Sequence, residues 1–195
     1  MHPLLNKNLF LVKEHVGMFK AANNFDIYDP INNEMIMHCR EKNLGFFTKM
    51  FRFTDYKRMT PFHIEIMDMS GAKILTIKRG VSLFLSKVEV FDEHETLIGR
   101  FKQKFFSIGG KFDIVDSNNQ VICHLKGKWT SWNFSFRIKN EEFAQVSKKW
   151  AGIGREFFTT ADNYMLEIKD IAPQNNPVRL LILAAVMCID MVLKE

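Results

Sequence analysis

The chain has 195 residues, enough to bury a substantial core, and its 47 % hydrophobic and 25 % charged residues are those of a globular protein, not a disordered one. Its net charge of +5 admits an anionic partner without requiring one, and 19 Phe against 10 Gly and 5 Pro call for the extensive interior that strands build well. The three scattered cysteines, Cys39, Cys123 and Cys188, form neither a disulfide framework nor a metal spacing, which points to a reducing compartment.

Residues 1–24 read as a lead-in to one domain spanning 1–195. Asn and Lys interrupt the apolar residues between Met1 and Lys13, so no signal-peptide core is present, and His2 stands where N-myristoylation needs glycine. The expected location is cytoplasmic, with a peripheral place at the cytosolic face of a membrane. Next comes Phe25-Asp-Ile-Tyr-Asp29, then Asn43 to Phe53, where Phe46, Phe47 and nearby cations suit either membrane insertion or a further hairpin strand.

A period of 24 residues follows. Ile64-Glu-Ile-Met-Asp68, Val88-Glu-Val-Phe-Asp92 and Phe112-Asp-Ile-Val-Asp116 are equivalent, Phe136-Arg-Ile-Lys-Asn140 is a weaker copy, and Phe25 to Asp29 is an earlier relative. Each alternates apolar and polar residues up to an Asp or Asn, and turn formers follow two of them, Ser70-Gly71 and Asn118-Asn119. Second apolar runs then begin at Ile74, Leu97 and Val121. The unit is a β-hairpin, and the series predicts about twelve antiparallel strands, which curl into a closed or nearly closed barrel.

Trp129, Trp132, Phe134 and Phe136 form an aromatic stretch suited to the interior or to a membrane interface. After Asn176-Pro177 an uninterrupted apolar run extends from Leu180 to Ile189, predicting a helix over 177–193. A helix apolar all round is buried in protein or in lipid. Ten residues fall short of the ~20 that cross a bilayer. A twelve-stranded barrel has a lumen wide enough to need a plug, so the helix is expected at its centre.

Several of these stretches resemble the phospholipid scramblase family: Phe25-Asp-Ile-Tyr-Asp-Pro30, Val146-Ser-Lys-Lys-Trp-Ala-Gly152, Phe158-Thr-Thr-Ala-Asp-Asn-Tyr164 and Ile189-Asp190-Met191. That family is similar in turn to tubby C-terminal domains and plant LURP-one-related proteins. The resemblance implies a twelve-stranded barrel around a hydrophobic C-terminal helix. It also implies a lipid function, either calcium-stimulated movement of phospholipid between leaflets or phosphoinositide binding. The implied calcium segment makes Asp162, Asn163 and Asp170 the metal candidates. Thr160 stands where a carboxylate is expected, and a site short of one of calcium's six to eight oxygens binds weakly. Alternation of Tyr164, Leu166 and Ile168 reads instead as a last strand. No other cofactor is expected.

The binding candidates are basic and locked to the repeat. Lys78, Lys102 and Lys126 recur every 24 residues, Arg100, Lys102 and Lys104 share one strand face, and so do His124, Lys126 and Lys128. Acids at Asp26, Glu65, Glu89 and Asp113 match them on the first strands, so cross-strand pairing on a solvated face competes with phosphate binding. Arg137 breaks the acidic series, concentrating positive charge near Lys126 and Lys128. Catalytic elbows, zinc motifs and P-loops are absent from the sequence, so no enzyme activity is expected, and no nucleic-acid motif occurs. The leading expectation is a module that binds anionic phospholipid through its basic face and is linked to scrambling. A C-terminally anchored translocator and a soluble scaffold remain open beside it, and the oligomeric state is not specified.

Overall fold

A computed structural model of the chain describes residues 2–15, 22–42, 45, 48, 50, 60–81, 87–103, 112–128, 132–148 and 163–193, with the side chains at 103, 128, 190, 192 and 193 left aside. Twelve strands form one closed antiparallel barrel. They are β1 (Leu9–Glu14), β2 (Phe25–Asp29), β3 (Glu34–Glu41), β4 (Phe62–Asp68), β5 (Lys73–Arg79), β6 (Lys87–Asp92), β7 (Leu97–Gln103), β8 (Phe112–Asp116), β9 (Val121–Lys128), β10 (Asn133–Ile138), β11 (Glu141–Ser147) and β12 (Asn163–Ile168). Each pairs with its neighbours in sequence, and β1 pairs with β12 from Leu9↔Glu167 to Lys13↔Asn163. Closure leaves no edge strand exposed. The expected lead-in is therefore corrected: residues 1–24 hold a short 3-10 turn, Pro3–Asn6, and the strand that closes the barrel.

The repeat determines the turns. Asp68 Oδ1 accepts from the N–H groups of Ser70 and Ala72, Asp92 Oδ1 from His94 and Thr96, and Asp116 Oδ1 from Asn118 and Gln120, all at 2.8–2.9 Å. The residue three past each Asp has positive φ: Gly71 at 87°, Glu95 at 59° and Asn119 at 65°. In four copies the pairing register shifts between the third and fourth residues, at Ile27/Tyr28, Ile66/Met67, Val90/Phe91 and Ile114/Val115. Such bulges increase local twist, which helps the sheet close into a barrel.

The helix α1 (Pro177–Leu193) fills the lumen. The Asn176 side chain caps it, accepting from the Val178 N–H at 2.9 Å, and Pro177 takes the first position, where no amide donor is needed. Leu180 to Ile189 are buried on every side, against Phe101, Ile114, Leu125, Phe134 and Phe136 among others from the strands. Each fully buried Leu or Ile side chain contributes about 1.5–3 kcal/mol, which makes the plug a principal source of stability. Among the described residues no helix is long and apolar enough to cross a membrane. The closest approach is at Gly99 on β7, where an added Cβ would lie 2.5 Å from the Val115 carbonyl oxygen and 2.9 Å from Leu181 Cδ1.

Arg179 locks the base of α1. Its guanidinium is buried and donates to the carbonyls of Leu5 (2.6 Å), Ala172 (3.1 Å) and Lys7 (2.6 Å) and to Asn8 Oδ1 (2.8 Å). A cation in the first turn opposes the helix dipole, so these four oxygens must hold it.

The antiparallel meander gives the barrel two unlike ends. Short turns join β2–β3, β4–β5, β6–β7, β8–β9 and β10–β11 at the end where α1 begins. At the other end, where α1 finishes, lie the connections β1–β2, β3–β4, β5–β6, β7–β8, β9–β10 and β11–β12, which contain most of the residues outside the described set. Asn43 to Phe53, with Phe46 and Phe47, falls almost entirely among those, as do Lys104, Trp129 and Asp162.

Candidate functional site

The outer wall carries alternating charges, and cross-strand register decides which of them neutralise one another. Asp26 lies beside His15 (2.5 Å) and Arg40 (2.7 Å); burial opposes its ionisation, but these hydrogen bonds hold its carboxyl below the ordinary range. Glu65 pairs with Lys42 at 2.5 Å. Glu89 is held low first by Arg100 (3.1 Å) and then by Lys87 (3.2 Å). Asp113 sits opposite His124 and meets it at 2.6 Å. Glu95, at its positive-φ turn position, receives Lys73 at 2.5 Å and Lys78 at 2.7 Å, and these cations bring its pKa down to about 2.

The basic candidates therefore fall into distinct groups. Lys78 is taken by Glu95 and stands over the Phe91 ring, and Arg100 is taken by Glu89 and by Asn119. Lys102, Lys126 and Arg137 form no ion pair among the described residues. Lys126 is exposed at the far end of β9, opposite Ser135. Arg137 faces His124 across β9–β10, which places it diagonal to Lys126, about 7–8 Å away in such a ladder. Its Nε is buried without a hydrogen-bond partner. Lys102 faces Asp113 on β8, about two strand spacings, or roughly 10 Å, from the β9 row. Lys128 closes β9, and Lys104 lies outside the described residues.

Of the metal candidates, Asp162 lies outside the described residues, and Asn163 and Asp170 are not brought together. Asn163 opens β12 and is buried, whereas Asp170 is exposed beyond the other end of that strand and accepts from Asn8 at 2.5 Å. Six strand residues separate them by roughly 20 Å. Tyr164 to Ile168 is the last strand, and Trp132 packs on Tyr164 and Phe134 instead of presenting itself outward as an aromatic belt.

Sequence reasoning did not single out a cleft of about 370 Å³ between β3, β4 and β5, lined by Glu41, Lys42, Phe62, His63, Lys78 and Arg79 among others. Its cations are engaged: Lys42 by Glu65, Lys78 by Glu95, and Arg79 by the Thr60 carbonyl at 2.6 Å and the Phe62 ring. Burial, then Lys78, pushes the His63 imidazole below its usual pKa, so it is neutral at pH 7. Nothing in the repeat marks these residues, because the cleft forms where strand ends meet.

The Scramblase family model matches residues 7–195, which include all twelve strands and the central helix. The chain belongs to the scramblase family. It is 22 % identical over 193 residues to a phospholipid scramblase family protein of Schizosaccharomyces pombe, covering 90 % of this chain and 50 % of that one. It is 26 % identical over 120 residues to human phospholipid scramblase family member 5, covering 54 % and 44 % of the two chains. With human phospholipid scramblase 1 it shares 25 % identity over 122 residues, covering 55 % and 38 %. This scramblase-family chain thus spans half or less of the length of these relatives. Its fold is similar to the X-ray structure of a protein from Arabidopsis thaliana, with a TM-score of 0.58, 16 % identity, and coverage of 99 % of this chain and 97 % of that one.

Proposed function

We propose that this scramblase-family barrel is a single peripheral domain that binds anionic phospholipid headgroups at the cytosolic face of a membrane through the outer surface of β7–β10. The observation that carries the reading is the selective lack of partners. Asp26, Glu65, Glu89 and Asp113 are each held by a neighbouring side chain, while Lys102, Lys126 and Arg137 have no ion pair among the described residues, Arg137 lying diagonal to Lys126 and Lys102 two strands from the β9 row. Such cations bind phosphate without first breaking an internal pair. The family supports a phospholipid partner, and a link to scrambling follows from the same reading. Burial of α1 inside the barrel favours a peripheral protein over one anchored by that helix. The separation of Asn163 from Asp170 gives no reason to expect calcium dependence.

Vesicle flotation tests this reading. Neutral phosphatidylcholine vesicles are expected to leave the protein behind, and vesicles containing phosphatidylserine to carry it at low salt but not at high salt, with or without calcium. Each cation near an anionic surface is worth about 1 kcal/mol, so Lys102→Gln with Lys126→Gln should lower partition by roughly twenty-fold or more. Binding unaffected by salt and by the double variant would refute it.

A further inference from the structure

The charges are also sorted along the barrel axis. At the rim where α1 ends, Lys13 is the next-to-last residue of β1, Lys42 follows β3, Lys87 opens β6, Lys102 and Lys126 stand near the ends of β7 and β9, and Lys148 follows β11. They are spread around the circumference, not confined to one wall. Acids occur there too, at Glu14, Asp26, Glu41 and Asp113, but among the described residues cations outnumber them. The opposite end is the reverse. The turn-forming carboxylates Asp68, Asp92 and Asp116 are joined by Glu34, Glu93 and Asp170. Ion pairs occur at both ends, Lys7 with Asp29, Lys73 with Glu95 and Lys169 with Glu142 here, and Lys42 with Glu65 and Lys87 with Glu89 at the rim, so it is the balance of charge that differs.

We propose that the barrel meets an anionic phospholipid bilayer end-on, with the basic rim at the C-terminal end of α1 against the headgroups and the acidic turns pointing away. This rests on the lipid reading above and fixes its pose. Lys102 and Lys126 then act as two members of a ring, because both sit toward the rim ends of their strands. A strand of seven residues is roughly 23 Å long, more than two Debye lengths at physiological salt. An anionic surface therefore attracts the rim while the acidic turns lie beyond its reach, and the axial separation of charge turns an approaching barrel upright. The rim also presents Val81, exposed beside Gly80. Ile31, Met69 and Ile171 are exposed at the acidic end, and docking through them is the inverted pose.

Two measurements on phosphatidylserine-containing vesicles decide the pose. Lys13→Gln, on β1, and Lys42→Gln, just past β3, lie on the far side of the barrel from β7–β10. End-on docking predicts that each weakens partition by about five-fold, as Lys126→Gln does, while Arg137→Gln, away from the rim, costs less. Thermal melts of each variant confirm folding. In the second measurement a fluorophore is attached at Gly80→Cys on the rim or at Asn118→Cys on a turn, the native cysteines being buried. Energy transfer to headgroup-labelled lipid should be stronger from Gly80→Cys. Losses confined to Lys102, Lys126 and Arg137, with equal transfer from both probes, would overturn the end-on pose and leave the lipid reading standing. Stronger transfer from Asn118→Cys would establish the inverted pose instead. Absence of any wild-type binding would overturn the lipid reading itself, and the pose with it.

Discussion

Replacing Arg179 with Ala removes a buried cation whose partners are all neutral oxygens: three carbonyls and the Asn8 amide oxygen. Hydrogen bonds to a charged group contribute about 1.5–3 kcal/mol each, and desolvating the guanidinium in the native state costs several kcal/mol in return. Two of the four acceptors, on Lys7 and Asn8, lie at a part-buried site that water reaches, whereas those on Leu5 and Ala172 are buried and would be left without this donor. The net loss is expected at about 3 kcal/mol, or roughly 10 °C in Tm for a domain of this size. Arg179→Lys should fall between wild type and Ala, because one ammonium cannot span four acceptors. Urea unfolding followed by circular dichroism would show a lower midpoint with an unchanged slope. Amide exchange should accelerate first in residues 2–8 and 169–176, the segments the guanidinium ties to α1. An Arg179→Ala midpoint within 1 kcal/mol of wild type, with unchanged exchange in both segments, would refute the claim that this side chain locks the plug.

Gly99→Ala forces a Cβ to 2.5 Å from a backbone oxygen and against Leu181, so it should cost about 1–3 kcal/mol by thermal melt, whereas Gly80→Ala, with open space around it, should be neutral. Burial pushes the Cys123 thiol up to about 12 and raises Cys39 and Cys188 as well, so no thiol should react with Ellman's reagent at pH 8 in the native protein, and three should react in denaturant. Glu95 has a folded pKa of about 2 against 4.5 in the free residue, held there by Lys73 and Lys78. Its stabilisation is present above pH 4.5 and is lost as pH falls through 2. The carboxylate is 42 % exposed, so the contribution is under about 1 kcal/mol, and Glu95→Gln should flatten the stability profile across that window.

Much of the fold was legible because the repeat is a period of local chemistry. An Asp that accepts from two following amides builds a turn wherever it occurs, and alternation then dictates the strand beyond. The strand β1 escaped notice because Leu9 to Glu14 ends on no such Asp and belongs to no copy of the repeat. The wall charges were only partly legible. Acids matched to the repeat anticipated cross-strand pairing such as that of Asp113, but the capture of Lys78 by Glu95, seventeen residues away, follows from the stagger of the closed barrel, which periodicity does not reveal. Arg179 carried no signal either. A lone cation before an apolar run reads as a flank, and its partners come from both ends of the chain.

Pairing of β1 with β12 has a consequence for synthesis. The first strand leaves the ribosome without a partner on one side, and Glu167 follows roughly ten to thirty seconds after Leu9 at translation rates of about 5–20 residues per second. Through that interval the nascent sheet holds two unpaired edges and an open apolar trough, and the segment that fills the trough, Pro177–Leu193, emerges after all twelve strands. The barrel therefore cannot be completed until both β12 and α1 have emerged. Truncated products ending before Pro177 should be claimed by chaperones and proteases, however many strands they contain.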